Sequence, residues 1–537
     1  MQAYLSWRRE KKAIYSLSIS LIFLSFLASC AYPSPINSIT PLSTSNLITP
    51  TEQPEPTPSP SIAASAIPTH NQSSATATVQ LATSAATPVP PQTYHAPAQY
   101  NLDAVLDYYE HSLSVTERIR YTNPNTDTIT GLTLVVEPSR WPGCFTLTSL
   151  AWEDGEAVKT YDLQDAQLQI SLLQPLQSGD SLVVKLVYKL EFPQIPAPTG
   201  VTRPVPFGYS DRQTNIVDWY PYIPPYQPGK GWLVHPKWGF GEHQVFEMAD
   251  FDVSLSLTDP VKNLVIAASS MASENEEGYT YHLENARSFA MSASDEYLVQ
   301  STRVGDVTIY SYSFPFDKSA GEQVLNDAAK SLELYSNLFT PYPHSSLSAV
   351  EADFLDGMEY DGLVFLSRGF YNLYDGTPQG YLTFITAHET AHQWWYGLVG
   401  NDQALEPWLD EAICTYMEHV FYENVYPDYK TSSGESLVNW WWYYRVNFYA
   451  PGGWVDGQIY DFNLFRPYRD AVYLNGAKFL QDLRTLVGDP VFFAFLKDYA
   501  VQKTDGIATA TDFFTILRSH TSKNLDSLMR KYFHYSK

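Results

Sequence analysis

His388-Glu389-Thr390-Ala391-His392-Gln393-Trp394-Trp395, followed by Trp408-Leu409-Asp410-Glu411-Ala412, is the stretch on which the reading of this chain turns. Two histidines four positions apart share one face of a helix, with side-chain bases about 5–6 Å apart, so one metal ion reaches both. Glu389 projects beside them, within reach of a metal-associated water. Pro407 marks the start of a second helix, and Glu411 lies nineteen positions after His392 (411 − 392). That helix supplies a third ligand. Two imidazoles and a carboxylate leave a tetrahedral metal one open position, the mark of catalytic and not structural sites. His388, His392 and Glu411 are therefore the expected ligands, and Glu389 the expected general base for water.

Working outward, Gly357-Met358-Glu359-Tyr360 precedes this stretch and Val472-Tyr473-Leu474-Asn475-Gly476-Ala477 follows it. Together the segments resemble the aminopeptidase N family of gluzincins. Its signature is H-E-x-x-H, eighteen residues, then E, with a G-x-M-E-N loop upstream and a V-Y-x-K-G-A segment downstream. The resemblance implies one Zn2+ per chain and hydrolysis of the first peptide bond of peptide substrates. It implies an amine-binding carboxylate at Glu359 in a substrate-binding loop with Gly357 and Met358, and a phenol at Tyr473 that stabilises the oxyanion. Asp356 stands where the loop motif has glycine, Tyr360 where it has asparagine, and Asn475 where the downstream segment has lysine. Two alternatives stay open: a zinc endopeptidase on the same site, and a non-catalytic, metal-bearing surface lipoprotein.

The fold expected is multidomain. Residues 98–305 carry runs such as Leu132–Val136, Ser181–Tyr188 and Phe251–Leu257, which alternate apolar and polar side chains between turn residues. That pattern points to an antiparallel β-sandwich. The aromatic and proline-rich run Trp219–Tyr226 inside it is expected to be a packed corner. Residues 306–537 read as α+β and mostly helical: a helix over Ala320–Leu338, a strand near Leu347–Glu351, and helices beyond Tyr381, one of them begun by Asp489-Pro490. A thermolysin-like zinc peptidase domain matches this order. The aromatic run Trp440–Tyr444, His419 and Cys414 are expected to pack.

The N-terminus reads as an address. Arg8, Arg9, Lys11 and Lys12 precede an apolar stretch from Ala13 to Leu27, which is short for a membrane span and suits a signal peptide over residues 1–29. Leu27-Ala28-Ser29-Cys30 resembles a bacterial lipobox, which implies lipidation at Cys30 and an extracytoplasmic protein anchored to a bacterial membrane. Residues 30–97 are dominated by Ser, Thr, Pro and Ala and are expected to be a disordered tether.

Bulk properties agree with a folded peptide-handling protein. The 537 residues are 44% hydrophobic and 15% aromatic, enough for sizeable cores. The formal net charge of -25 argues against nucleic acid as a partner, because phosphate binding needs basic surface. Three cysteines are too few for a disulfide scaffold. The partners expected are peptides and, through the anchor, a membrane; oligomeric state is not legible.

Overall fold

Alternation of apolar and polar residues builds the N-terminal half. In β1 (Ala98–Asp107) Ala98, Tyr100, Leu102, Ala104 and Leu106 are buried, while Gln99, Asp103 and Val105 are exposed, the period of two that a one-sided strand requires. The computed structural model describes residues 97–196, 206–275 and 278–534. The signal peptide, Cys30 and the tether as far as residue 96 lie outside these. No helix among the described residues is long and apolar enough to cross a membrane.

The largest sheet has seven strands: β1, β2 (Ser112–Thr122), β3 (Phe145–Trp152), β4 (Ser181–Glu191), β5 (Ala249–Leu257), β6 (Ser273–Asn275) and β7 (Gly278–Ala286). Their order is β6-β7-β5-β1-β2-β4-β3. The expectation of an antiparallel sheet is corrected at its centre, where β1 and β5 run parallel, with Ala98 opposite Ala249 and Leu106 opposite Leu257. Neighbouring strands in a hairpin must be antiparallel, but these two are separated by a long excursion of chain, which re-enters the sheet from the same end. Leu132, Leu134, Leu168 and Ile170, from a three-stranded sheet, share one hydrophobic cluster with the inward residues of β1, β2 and β4. The Trp219–Tyr226 run is the expected corner: Trp219, Tyr220, Tyr222 and Ile223 are buried, the Trp219 indole donates to the Phe289 carbonyl at 3.0 Å, and the Ile223 amide donates to the Tyr100 hydroxyl at 2.9 Å.

A five-stranded mixed sheet opens the second half, with β8 (Leu298–Val304), β9 (Val307–Ser313), β10 (Ser346–Ala352), β11 (Gly357–Tyr360) and β12 (Leu363–Ser367) in the order β8-β9-β10-β12-β11. The expected junction at 305/306 falls on the turn between β8 and β9, so a strand on its N-terminal side pairs with the later sheet. β11 lies at the edge. Helices α1 (Lys318–Leu338) and α2 (Tyr381–Ala391) pack on the sheet, and α3 (Trp408–Val425) packs on α2. The buried Tyr335 hydroxyl of α1 lies 3.2 Å from both the Ala387 carbonyl of α2 and the Met417 carbonyl of α3, which fixes the three helices in register. Beyond α3 the described chain is mostly helical, with Asp489–Lys503 beginning at the Asp-Pro pair as expected.

Several residues tie the two halves, Arg212, His235 and Arg287 among them. Arg287, 3% exposed, donates to the carbonyls of Tyr396, Gly397, Phe246 and Gly506 at 2.7–3.0 Å. The turn after α2 is therefore held by a guanidinium from the end of β7.

Candidate metal centre

α2 and α3 bring the sequence-predicted ligands to one point. His388 lies in α2, His392 just past its end, and Glu411 in the first turn of α3, all within 5% of full burial. His392 Nε2 is 3.2 Å from His388 Nε2, His388 Nε2 is 3.2 Å from Glu411 Oε2, and His392 Nε2 is 3.6 Å from Glu411 Oε2. Zinc bonds of 2.0–2.1 Å at tetrahedral angles separate ligand atoms by about 3.3–3.4 Å, so the triangle has the size zinc needs.

The outer nitrogens set the tautomers. His392 Nδ1 faces the Trp395 carbonyl at 3.0 Å, which only accepts, so Nδ1 carries the proton. His388 Nδ1 faces Glu418 Oε1 at 3.0 Å and donates likewise. Both Nε2 lone pairs then converge on a carboxylate oxygen, an arrangement that calls for a cation between them. Glu418 is fully buried and is held in turn by Trp441 Nε1 at 2.8 Å and by Arg445 Nε and Nη2 at 3.0 and 2.9 Å. Sequence reading missed Glu418, although it sits seven positions after Glu411 on one face of α3.

Glu389 is 4% exposed, and its Oε2 is buried without a hydrogen-bond partner. Burial pushes its carboxyl up to about 8, against the pull of the two histidines. Tyr473 sits in a π-helical turn over Asp470–Asn475. Its hydroxyl donates to Glu411 Oε1, and its ring lies parallel to His388 at 6.2 Å between centroids. The expected phenol is therefore at the centre, on the far oxygen of the carboxylate ligand.

Glu359 of β11 is 4% exposed and lies 3.9 Å from His392 Nδ1. Gln403 Nε2 donates to Glu359 Oε1 at 3.1 Å and to Asp410 Oδ2 at 3.0 Å. Gly357 and Met358 precede Glu359 on the same edge strand. Glu242 arrives from a segment without regular secondary structure between Trp232 and β5, with Oε2 buried and unpartnered. No local sequence signal marks Glu242, because only the tertiary fold brings it here.

The electrostatics of this pocket are one-sided. Burial first, then mutual repulsion among the carboxylates, raises Glu242 well above its ordinary range and Asp410 to about 8; burial also raises Glu359. Burial opposes ionisation of Glu411 too, but the His388 and His392 rings against it outweigh that and keep the carboxyl low. Cations relieve such a cluster of buried carboxylates.

Of the residues expected to pack, Cys414, His419 and Trp441 do, and the expectation is corrected at Tyr443 and Tyr444, which stand at the surface. Cys414 is buried and unpaired, with Sγ 3.9 Å from the Trp395 carbonyl, and Cys144 is likewise buried and unpaired. His419 packs between Tyr416, Trp441 and Trp442. Trp441 is buried, whereas Tyr443 and Tyr444 are about half exposed.

Comparison with known proteins agrees with the motifs. Residues 323–532 match the Peptidase family M1 domain. The chain is 26% identical over 301 residues to Aminopeptidase M1-D of Oryza sativa subsp. japonica, covering 52% of this chain and 34% of that protein. It is 26% identical over 304 residues to Aminopeptidase N of Lactobacillus helveticus, covering 53% and 35%. The matched stretches thus span about a third of those relatives. In fold, the chain is similar to an M1 zinc metallopeptidase from Deinococcus radiodurans (TM-score 0.55, 17% identity, 82% of this chain and 95% of that one) and to a variant of it bound to Tyr-Ser-Ala (TM-score 0.58, 17% identity, 82% and 95%).

Proposed function

We propose, taking as premise that residues 323–532 form a peptidase family M1 domain of the aminopeptidase N type, that this chain is a zinc aminopeptidase. The observation that carries the reading is the convergence of two Nε2 lone pairs and a carboxylate oxygen beside an unpartnered Glu389 oxygen, with an acidic pocket a few ångströms further on. Within the same reading, the N-terminal sheets are a β-sandwich and the second half is a thermolysin-like domain.

His388, His392 and Glu411 would hold the ion, and His388 is oriented by Glu418. Zinc supplies a Lewis acid there, which polarises the scissile carbonyl and acidifies water toward a pKa of ~7. Glu389 takes the proton of the attacking water on Oε2, the hydroxyl adds to the carbonyl carbon, and the same oxygen delivers the proton to the leaving nitrogen as the C–N bond breaks. Tyr473 donates its hydroxyl to the carbonyl oxygen as negative charge grows there. Glu359 and Glu242 accept the ammonium of the first residue, so the scissile bond is the first peptide bond. β11 presents an edge along which an extended peptide pairs main chain to main chain. We place the protein outside the cytoplasm, lipid-anchored through Cys30; the charged n-region, apolar stretch and Leu27–Cys30 box support this.

Hydrolysis of aminoacyl fluorogenic amides beside their N-acetylated counterparts, with Glu389→Gln as control, tests the reading. Cleavage of free substrates alone, lost in the variant, is expected. Equal cleavage of both would make the protein an endopeptidase, and cleavage of neither would leave a metal-bearing binding protein.

A further inference from the structure

A strained residue follows the carbonyl that orients His392. Tyr396 has φ 128, a region that glycine enters freely and other residues rarely. A side chain persists there only where the surroundings over-determine it. Both adjoining peptide planes are pinned. In the first, the Trp395 carbonyl accepts from His392 Nδ1 at 3.0 Å, and the Tyr396 amide donates to the Val399 carbonyl at 3.0 Å. In the second, the Tyr396 carbonyl accepts from Arg287 Nε at 2.7 Å, and the Gly397 amide donates to the His392 carbonyl at 2.9 Å. The buried Tyr396 side chain reaches back to the same place, its hydroxyl donating to Ser288 Oγ at 3.2 Å.

Arg287 is anchored in turn, because Asp361 Oδ2 accepts its amide at 2.9 Å and the Ser288 amide at 3.1 Å. Its guanidinium also holds the Phe246 carbonyl at 2.8 Å, four positions beyond Glu242. One buried cation therefore grips both the turn after α2 and the segment that carries Glu242 to the pocket.

We infer that Arg287 is a positioning residue for the metal centre: it holds Tyr396 in its left-handed conformation and so keeps the Trp395 carbonyl aimed at His392 Nδ1. Only a planar fork serves several carbonyls at once, and a lysine ammonium, a point charge, does not replace it. The effect on metal binding rests on His392 as a ligand; the hold on residue 396 does not.

The test is a cycle of four full-length proteins: wild type, Arg287→Lys, Tyr396→Gly and the double variant. Zinc affinity is measured by competition with a chelating dye, and melting temperature on the metal-free proteins. Arg287→Lys keeps the buried charge and is expected to weaken zinc binding by about tenfold, the lower end for loss of support behind a metal-bound histidine. Glycine adopts the conformation at 396 unaided, so in the Tyr396→Gly background the same replacement should weaken zinc by less than about threefold and lower the melting temperature less. Equal losses in both backgrounds, or wild-type zinc affinity in Arg287→Lys, would overturn the inference. Folding of Arg287→Lys only when Tyr396→Gly is also present would be the same coupling in extreme form, and folding in neither would count against it. A wild type that takes up no zinc would sink the metal reading instead, and the melting cycle would still decide the hold on residue 396.

Discussion

Glu418→Gln should separate metal affinity from fold stability at one buried carboxylate. Its Oε1 takes His388 Nδ1 and Arg445 Nη2, its Oε2 takes Trp441 Nε1 and Arg445 Nε, and the side chain is fully buried. An amide of the same shape must point its NH2 at one of these donor pairs, setting donor against donor whichever way it turns. Arg445, 9% exposed, then loses its buried counter-charge. Breaking such a pair destabilises by about 3–5 kcal/mol, and loss of a carboxylate behind a metal-bound histidine lowers metal affinity by about 10–100-fold. Competition with a chelating dye gives the affinity, and urea unfolding of metal-stripped protein gives the stability. Glu418→Gln with Arg445→Met removes both charges, so most of the stability should return while zinc binding stays at least ~10-fold weak. Zinc affinity within threefold of wild type in Glu418→Gln would refute the role assigned to this carboxylate.

Tyr473→Phe keeps the ring against His388 but removes the donor, so kcat should fall by about 10²–10³ with KM little changed, as for loss of one oxyanion donor; a parallel rise in KM would point to ground-state binding instead. Glu359→Gln should raise KM for free aminoacyl amides and erase the preference over acetylated ones, read from kcat/KM on matched pairs. Burial lowers His344 to about 4, so it stays neutral in the fold while the unfolded chain takes a proton near pH 6.5. Stability is then unaffected at pH 7 and falls as pH drops from about 6.5 to about 4, by up to about 3 kcal/mol from this group. His344→Gln should flatten that part of the urea-unfolding profile between pH 7 and pH 5, and an unchanged slope would remove His344 as its source.

The parts of the site legible in the sequence are those whose partners lie close along the chain or fall within a spaced motif. His388 and His392 are one helical turn apart, Glu411 opens the next long helix, and Glu359 and Tyr473 are marked by the residues around them. What stayed hidden depends on long-range contact. Gln403 sits between Glu359 and Asp410 because a loop folds back. Glu242 is carried in on a segment with no periodicity. Glu418 had a local signal, its spacing from Glu411, but an acidic residue on a helix more often meets solvent. The same limit applies to the fold. Alternation in β1 and β5 reveals strands and their buried faces, but not that the two are parallel neighbours, because direction is set by the path of the intervening chain.

The central claim is that one zinc ion in the His388, His392, Glu411 triangle drives cleavage at a free N-terminus. Its most direct test is titration of metal-stripped protein with Zn2+ while following hydrolysis of a free aminoacyl amide, with His392→Ala alongside. The account predicts that activity rises linearly and saturates at one zinc per chain, and that the variant stays inactive at that stoichiometry. Full activity in the stripped protein, or in His392→Ala at one zinc per chain, would contradict it.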